Sequence, residues 1–411
     1  MGATSNESAG LSHEGTLRLG RATFAVALAF LVNGMMFGAW AARIPGLKDH
    51  AGLDSTHLGF ALLCGSGGAV MAMSVAGLIA ARRGSHLVTV AGLLGCAAAL
   101  PFLALADSFV ALAVALLVLG GFQGSMDVAM NASGLAVEQT RSRPILSRLH
   151  GTWSVGSFLG AFVTAAAIGA GVGMLEEFAL VAGAMVLSTL ALWAFMIRHR
   201  VVSAGPAFRR PSARLLALGV AIFCGMLAEG SANDWSGVFM RTAVGSSQQE
   251  AAITLAVFSG SMAVSRLAGD RITELVGGPR LVAVGAALGA VGLAAALTLQ
   301  AVGPAIGGFM LLGLGLGAVV PVALRAGGSQ PGISPGVGIA AVSTMGYAGL
   351  LSGPPIIGTA AGFVGIRAAL ALVVALLVFL AAAAPRVMAM PATTGPAGPV
   401  AKPMTPEPTP R

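Results

Sequence analysis

Charged residues are scarce in this 411-residue chain. Asp, Glu, Lys and Arg together make up 9% of it, where a soluble domain carries about 25%. With 56% hydrophobic residues and a mean hydropathy of +0.88, that scarcity excludes a soluble globular protein and indicates a polytopic membrane protein. Lysine is nearly missing. Lys48 follows Leu47 and Lys402 follows Ala401, so the Gly-Lys pair of a phosphate-binding loop does not occur, and ATP hydrolysis by that route is excluded. The three cysteines, Cys64, Cys96 and Cys224, lie in apolar stretches without CxxC spacing. They read as small apolar fillers between helices rather than a disulfide framework. No HExxH motif and no His/Cys cluster with metal spacing is present, so neither a metal nor an organic cofactor is expected. The formal charge of +8 would suggest nucleic acid in a soluble protein; here it reports loop orientation in a bilayer.

What the chain does have is small residues and long apolar runs. Its 59 glycines suit helices that approach closely where no hydrophobic force acts between them. A span needs about 20 apolar residues. Breaks at charges and Gly/Pro clusters then predict twelve spans, near 20–42, 57–80, 86–106, 108–137, 148–171, 177–198, 214–240, 250–269, 279–300, 303–325, 334–361 and 366–385. The reading is an all-α membrane protein of two pseudo-symmetric six-helix bundles, 20–198 and 214–385. A basic linker (199–213) joins them, and tails cover 1–19 and 386–411. The N-terminal tail has no cleavable signal pattern, and the C-terminal one, rich in Pro, Ala and Thr, is expected to be disordered. With both ends cytoplasmic, the outer loops hold Arg43, Lys48, Arg241 and Arg367, and the remaining 19 of 23 basic residues fall inside, as the positive-inside rule requires.

Two acidic stretches interrupt the apolar spans: Asp127-Val-Ala-Met-Asn131 and Glu229-Gly-Ser-Ala-Asn233-Asp234-Trp235. A charge at the bilayer centre costs roughly 2.5–3.5 kcal/mol on insertion scales, so such residues mark solute or proton paths. The halves also echo one another. Gly77-Leu-Ile-Ala-Ala81-Arg82-Arg83-Gly84 parallels Arg266-Leu-Ala-Gly-Asp270-Arg271, and Gly156 and Gly160 parallel Gly349 and Gly353. Parallel six-helix repeats around a central cavity are an established transporter architecture.

These residues resemble the major facilitator superfamily over nearly the whole chain. Its loop signature, an Asp-Arg pair followed by Gly and a basic residue, is matched by Arg82, Arg83 and Gly84, with Ala81 in place of the Asp; the second copy keeps Asp270 and Arg271. The phrases Gly124-Ser-Met-Asp127-Val-Ala-Met-Asn131, Ser147-Arg-Leu-His150-Gly-Thr-Trp153-Ser-Val-Gly156, Glu229-Gly-Ser-Ala-Asn-Asp234-Trp235 and Tyr347-Ala-Gly-Leu-Leu-Ser-Gly-Pro354-Pro355 look like a group of bacterial inner-membrane permeases related to fucose-type proton:sugar symporters. The resemblance implies a secondary transporter in that membrane, without cofactor, with protons and a small solute as partners, and complete in one chain. It also implies a protonatable acid in the fourth helix, which falls on Asp127.

Asp127 and Asn131, four apart, share one face of the fourth helix. They read as a proton-binding carboxyl with an amide neighbour that also bonds solute, or as a polar pair bridging helices. Glu229 is the second candidate proton-coupling acid. Asp234, five residues on and so pointing in a different direction, is a cavity group or an interfacial cap nearer the outer end, with Trp235 at the headgroup level. Asn33, Gln123, Trp153 and Tyr347 are the remaining solute-binding candidates, with interhelical bonding or interfacial anchoring as the plainer readings. His150 is a proton relay or a helix cap. Arg82, Arg83, Arg266, Asp270 and Arg271 read as a cytoplasmic latch that holds the halves together in one state. Gly353-Pro354-Pro355 is expected to kink the eleventh helix.

Three functions fit. One is proton-coupled uptake of a sugar-like polar solute. A proton moving down about 100 mV gains roughly 2.3 kcal/mol, enough for on the order of a fiftyfold gradient of a neutral solute. The second is proton-driven export of an amphipathic compound through an adaptable cavity built from Met35, Met36, Met71, Met73, Met126 and Met130. The third is a non-transporting ligand sensor. The 6% aromatic content and single Tyr weigh against sugar, whose ring faces usually stack on aromatic side chains.

Overall fold

The computed structural model describes residues 13–141, 145–196, 212–331 and 333–389. Most of the expected tails and linker lie outside the described residues. Where described, the ends are helical, from His13 to Val387.

The helices are α1 (His13–Ala42), α2 (Ile44–His50), α3 (Ser55–Arg83), α4 (Ser85–Ala104), α5 (Phe109–Arg141), α6 (Leu146–Gly169), α7 (Met174–Phe195), α8 (Ala213–Phe239), α9 (Gln248–Val276), α10 (Gly278–Leu299), α11 (Val302–Leu316), α12 (Val319–Gly328) and α13 (Pro335–Val387). Among the described residues eleven stretches are long and apolar enough to cross a membrane, α11 and α12 acting together as one. The last, α13, is two spans in sequence, broken at Gly365, whose φ of 80° and ψ of 156° leave the helical region. Only glycine adopts such a backbone without strain. Twelve spans result, as the apolar runs predict.

Local chemistry sets the boundaries. Asp54 caps α3 by accepting the His57 N–H at 2.7 Å, and Ser247 and Glu250 cap α9 reciprocally, at 2.8 and 3.2 Å. Each cap satisfies donors that a helix start leaves open. Gly84 (φ 100°) and Gly277 (φ 82°) make equivalent sharp turns after α3 and α9. At Gly353-Pro354-Pro355 the dihedrals stay in the helical region, and the non-helical break within α13 falls further along the chain, at Gly365.

The halves are built alike. Within the first, α3 lies along α5 and α1 along α6; within the second, α9 lies along α11 and α8 along α13. The two most extensive contacts between them, α6 with α9 and α3 with α13, are exchanged by the internal repeat. The α6–α9 contact holds along its length, from Gly151 against Leu267, through Ser157 and Ser259 (3.2 Å), to Gly169 beside Gln249. By contrast α3 meets α13 near its start, where Gly59 lies against Pro354 and Gly358, and Thr56 against Gly362. At the same end Pro45 of α2 packs on Gly237 of α8. Further along α3, Val70, Met71 and Val75 are exposed.

Buried charge also organises the first half. Arg43, expected in an outer loop, is 6% exposed and pairs with Glu177 of α7, 2% exposed, through Nε at 2.7 Å and Nη2 at 2.5 Å. Thr164 donates to the same carboxylate, and Arg43 Nη2 donates to the Val172 carbonyl at 3.0 Å. This network ties α1, α6 and α7 at one end, and its charges are compensated, as burial demands.

Glycine sets the α1–α6 distance. A Cβ on Gly34 would strike the Trp153 carbonyl, and one on Gly156 the Leu31 carbonyl; both obstacles are backbone, which cannot swing aside. Gly156→Val is therefore expected to lower stability by about 1–3 kcal/mol, the usual cost of overpacking. Thermal unfolding of the purified protein in detergent checks this, with Gly183→Val, which has open space around it, as the comparison expected to change little.

Candidate functional site

A cavity of about 480 Å³ lies between the halves, lined from α1, α3, α5, α6, α8, α9, α12 and α13. That volume falls within the range of small-molecule sites. Its polar groups come from regular spacing on straight helices. On α5, Gln123, Asp127 and Asn131 recur every four residues and all face the cavity, as one helical face requires. Asn131 Nδ2 donates to the Asp127 carbonyl at 2.9 Å and to Asp127 Oδ1 at 3.2 Å. From the other half Tyr347 donates its hydroxyl to Asp127 Oδ2 at 3.3 Å. Asp127 forms no ion pair among the described residues; two neutral donors hold it.

The expectation that Glu229 and Asp234 point in different directions is only partly met. Ile222, Met226, Glu229, Asn233 and Asp234 all line the cavity, so the two acids sit at the two edges of one broad face of α8. Glu229 is bonded to Arg266 of α9, whose Nη2 lies 2.9 and 3.1 Å from the two carboxylate oxygens. Arg266 Nη1 donates to Ser154 Oγ of α6 at 2.7 Å. One guanidinium thus joins α8 and α9 to the first half.

That arrangement corrects the expected latch. Arg266 lines the cavity, because its long side chain turns toward the one acid near enough to compensate it. Asp270 pairs instead with Arg325 of α12 at 2.5 Å, within the second half and not between halves. The apolar count ends the eighth span near 269, but α9 continues to Val276, so Asp270 and Arg271 are helical and not in a turn. Arg82 and Arg83 are exposed at the end of α3, and among the described residues they and Arg271 form no ion pair. Trp235, expected at the headgroup level, is fully buried.

The remaining candidates converge on one wall. Trp153 Nε1 donates to Asn33 Oδ1 at 2.8 Å, and Asn33 Nδ2 approaches Met126 Sδ at 3.4 Å. Phe37 stacks at a tilt on Trp153, 5.3 Å between centroids, and edge-on to Trp40 at 5.5 Å. The sequence reading does not single out Phe37 and Trp40, although it carries their signal: positions 33, 37 and 40 fall on one helical face. It likewise does not single out Arg325, the last residue of the expected span 303–325. His150 also lines the cavity, edge-on to Phe30 at 5.4 Å.

A two-bundle helical membrane fold around a central cavity, largely apolar but carrying a few convergent polar groups, is the architecture of a solute transporter. The sequence matches the family model of the Major Facilitator Superfamily over residues 26–330, and the chain belongs to that superfamily. It is 35% identical to an uncharacterised MFS-type transporter of Yersinia pestis, over 87% of this chain and 93% of that protein. It is 31% identical to the membrane protein MosC of Rhizobium meliloti, over 87% and 88%. Among solved structures it resembles the nucleoside transporter NupG, as a D323A mutant, with a TM-score of 0.71 at 13% identity, covering 89% of this chain and 99% of that one. A bacterial homologue of the human lysosomal transporter Spinster, inward-facing and unoccupied, gives 0.71 at 14% identity, over 90% and 97%. At these identities the two structures support the fold.

The Glu229–Arg266 pair generates a stability test. Its side chains are 10% and 15% exposed, so removing one partner leaves a poorly solvated charge. Glu229→Gln and Arg266→Met are each expected to destabilise, and the double variant to recover part of the loss. A coupling energy of about 0.5–3 kcal/mol between the two sites is the expected result of the double-mutant cycle.

Proposed function

We propose that this chain is a proton-coupled secondary transporter that imports a small, polar, sugar-like solute by alternating access. In this reading it works as a monomer in the bacterial inner membrane with both termini cytoplasmic. The observation that carries the reading is the setting of Asp127. It lies in the central cavity without a cation and is held by neutral donors from both halves, Asn131 and Tyr347. A carboxyl so placed can take up a proton on one side and release it on the other as the halves move. The shared α6–α9 contact supplies the hinge line, and the α3–α13 contact at Gly59 and Gly358 is the gate that opens when the cavity turns outward. With Arg82 and Arg83 on the cytoplasmic side, as the basic-residue bias supports, this gate lies at the outer end of the cavity. Glu229 acts beside Asp127 through Arg266, whose bond to Ser154 spans the halves. Asn33, Gln123, Asn131, Trp153, Asp234 and Tyr347 are the solute-binding residues. Asp270, Arg271, Arg82 and Arg83 bias the two states from the cytoplasmic ends.

Asp127→Asn keeps size and hydrogen bonding but not the proton. It is expected to fold and to exchange solute passively, while losing accumulation driven by a proton gradient in proteoliposomes. Normal accumulation by this variant would defeat the assignment.

A second reading, proton-driven export of an amphipathic compound, is favoured by Met73, Met130 and Met226 in the cavity wall, an adaptable apolar surface. Solute-dependent proton movement distinguishes the two by sign: symport carries protons with the solute, and export by antiport carries them against it.

A further inference from the structure

Two of the side-chain hydrogen bonds that join the halves lie on the α6–α9 contact, from Arg266 to Ser154 and between Ser157 and Ser259. A third stands apart. Tyr347, the chain's single tyrosine, reaches from α13 to Asp127 Oδ2 of α5 at 3.3 Å. Those two helices pack little on each other; both line the cavity, and the bond crosses from one to the other. The two neutral donors on Asp127 therefore differ in kind. Asn131 sits one turn away on the same helix and donates at 3.2 Å, so it accompanies the carboxyl wherever the first half goes. Tyr347 belongs to the other half.

Proton coupling sets a requirement that separates these donors. A proton shifts the balance between two access states only by the difference in its affinity for them. A donor that keeps its bond in both states stabilises the carboxylate equally in both and adds nothing to that difference. A donor that loses its bond in one state adds its whole effect, because such a bond favours the charged form. Packing links the Tyr347 bond to the gate. Gly120 and Gly124 hold α5 in backbone contact with Gly65 and Ala69 of α3, the second contact three residues before Asp127. In turn α3 touches α13 where Gly59 meets Pro354 and Gly358. Tyr347 lies seven residues before Pro354, about 10 Å along the helix. With the gate closed, Tyr347 meets Asp127; when α13 leaves α3 it leaves α5 as well, and the carboxyl keeps Asn131 alone.

We infer that Tyr347 is a positioning residue that makes proton binding by Asp127 depend on the state of the gate. Its bond favours the charged carboxylate while the outer gate is closed, and the loss of that bond favours the protonated form once the gate opens. This deepens the proton-coupling reading, on which it rests for the role of Asp127 and for the direction of the gate. The order suits uptake, with the proton taken on where the cavity faces out and given up where it faces in. The other titratable groups in the cavity are Glu229 and Asp234 of α8, Arg266 of α9 and His150 of α6; α1, α3, α4 and α12 place none there. Glu229 is paired with Arg266 inside the second half, and none of the four bonds Asp127.

By reciprocity, a gate that changes proton binding is itself moved by pH, and this is measurable without a solute. Leu62 of α3 lines the cavity and is 5% exposed, one turn in from Gly59. Leu62→Cys, with Cys64, Cys96 and Cys224 replaced by Ala, is labelled in right-side-out membrane vesicles by a membrane-impermeant maleimide in the outer bath. The vesicles are held at one pH on both sides, and each rate is normalised to that of the unfolded protein at the same pH. Lowering pH from about 8 to about 5 is expected to speed labelling about tenfold, the size of a typical coupling between two sites. Tyr347→Phe flattens that response, as does Asp127→Asn. Asn131→Leu moves its midpoint but retains its size. An undiminished response in folded Tyr347→Phe, with the response lost in Asp127→Asn, overturns the inference and leaves Asp127 as the coupling acid. A response that survives Asp127→Asn, or none in the starting protein, overturns it together with the coupling role of Asp127. Where Tyr347→Phe does not fold, Tyr347→Leu, which also lacks the hydroxyl, decides.

Discussion

Compensation of charge away from water is the constraint on which the rest of this structure depends. A lone carboxylate at membrane depth costs about 2.5–3.5 kcal/mol even on insertion scales, so each acid there needs a partner or a polar cavity. Glu177 finds Arg43 and a threonine hydroxyl, and the result ties three helices of the first half. Glu229 finds Arg266, and the result reaches across to Ser154. Asp127 and Asp234 find no arginine among the described residues and face the cavity. Arginine is the suitable partner in both pairs, because its planar fork meets several acceptors at once. Arg43 and Arg266 each serve a carboxylate and one further oxygen.

Close packing turns those local pairs into a moving part. Glycines at 34 and 156 let α1 and α6 approach to backbone contact, so each half is stiff. The α3–α13 contact is of another kind. It joins small residues and prolines over a short stretch at one end, and no ion pair among the described residues holds it. Packed interfaces of this sort are made or lost as units and do not deform continuously. The charge pair Asp270–Arg325 stays inside the second half, so moving the halves does not require breaking it. At the α9 side the halves are tied by the bond from Arg266 to Ser154 together with that between Ser157 and Ser259.

Much of this was legible in the sequence, for reasons that can be named. Twelve spans follow from the absence of water in the bilayer, which leaves helices as the way to satisfy backbone groups. Spacing is enough to find Asp127, Asn131 and Gln123, because straight helices preserve a face. Interactions between distant segments were not legible. Nothing in the order of residues says that Arg266 turns to Glu229, 37 positions away, and not toward Asp270 on its own helix. The pairing depends on how α8 and α9 sit together. Counting charge alone puts Arg43 in a loop, since its partner Glu177 lies 134 positions away.

The same constraint decides what alternating access asks of the cavity. As the halves move, the polar groups at its centre pass through a stage with less water around them, and any net charge then becomes more expensive. The Glu229–Arg266 pair is neutral as a unit and adds little to that barrier. Asp127 and Asp234 are the groups whose charge must be cancelled from outside the protein. Asp127 is held by two neutral donors, Asn131 and Tyr347, which share its charge without cancelling it. Asp234 lines the same cavity and has no hydrogen-bond or ion-pair partner among the described residues. Two cavity acids without an arginine among the described residues thus leave charge that any drier stage of the cavity has to meet, while the paired Glu229 does not add to it.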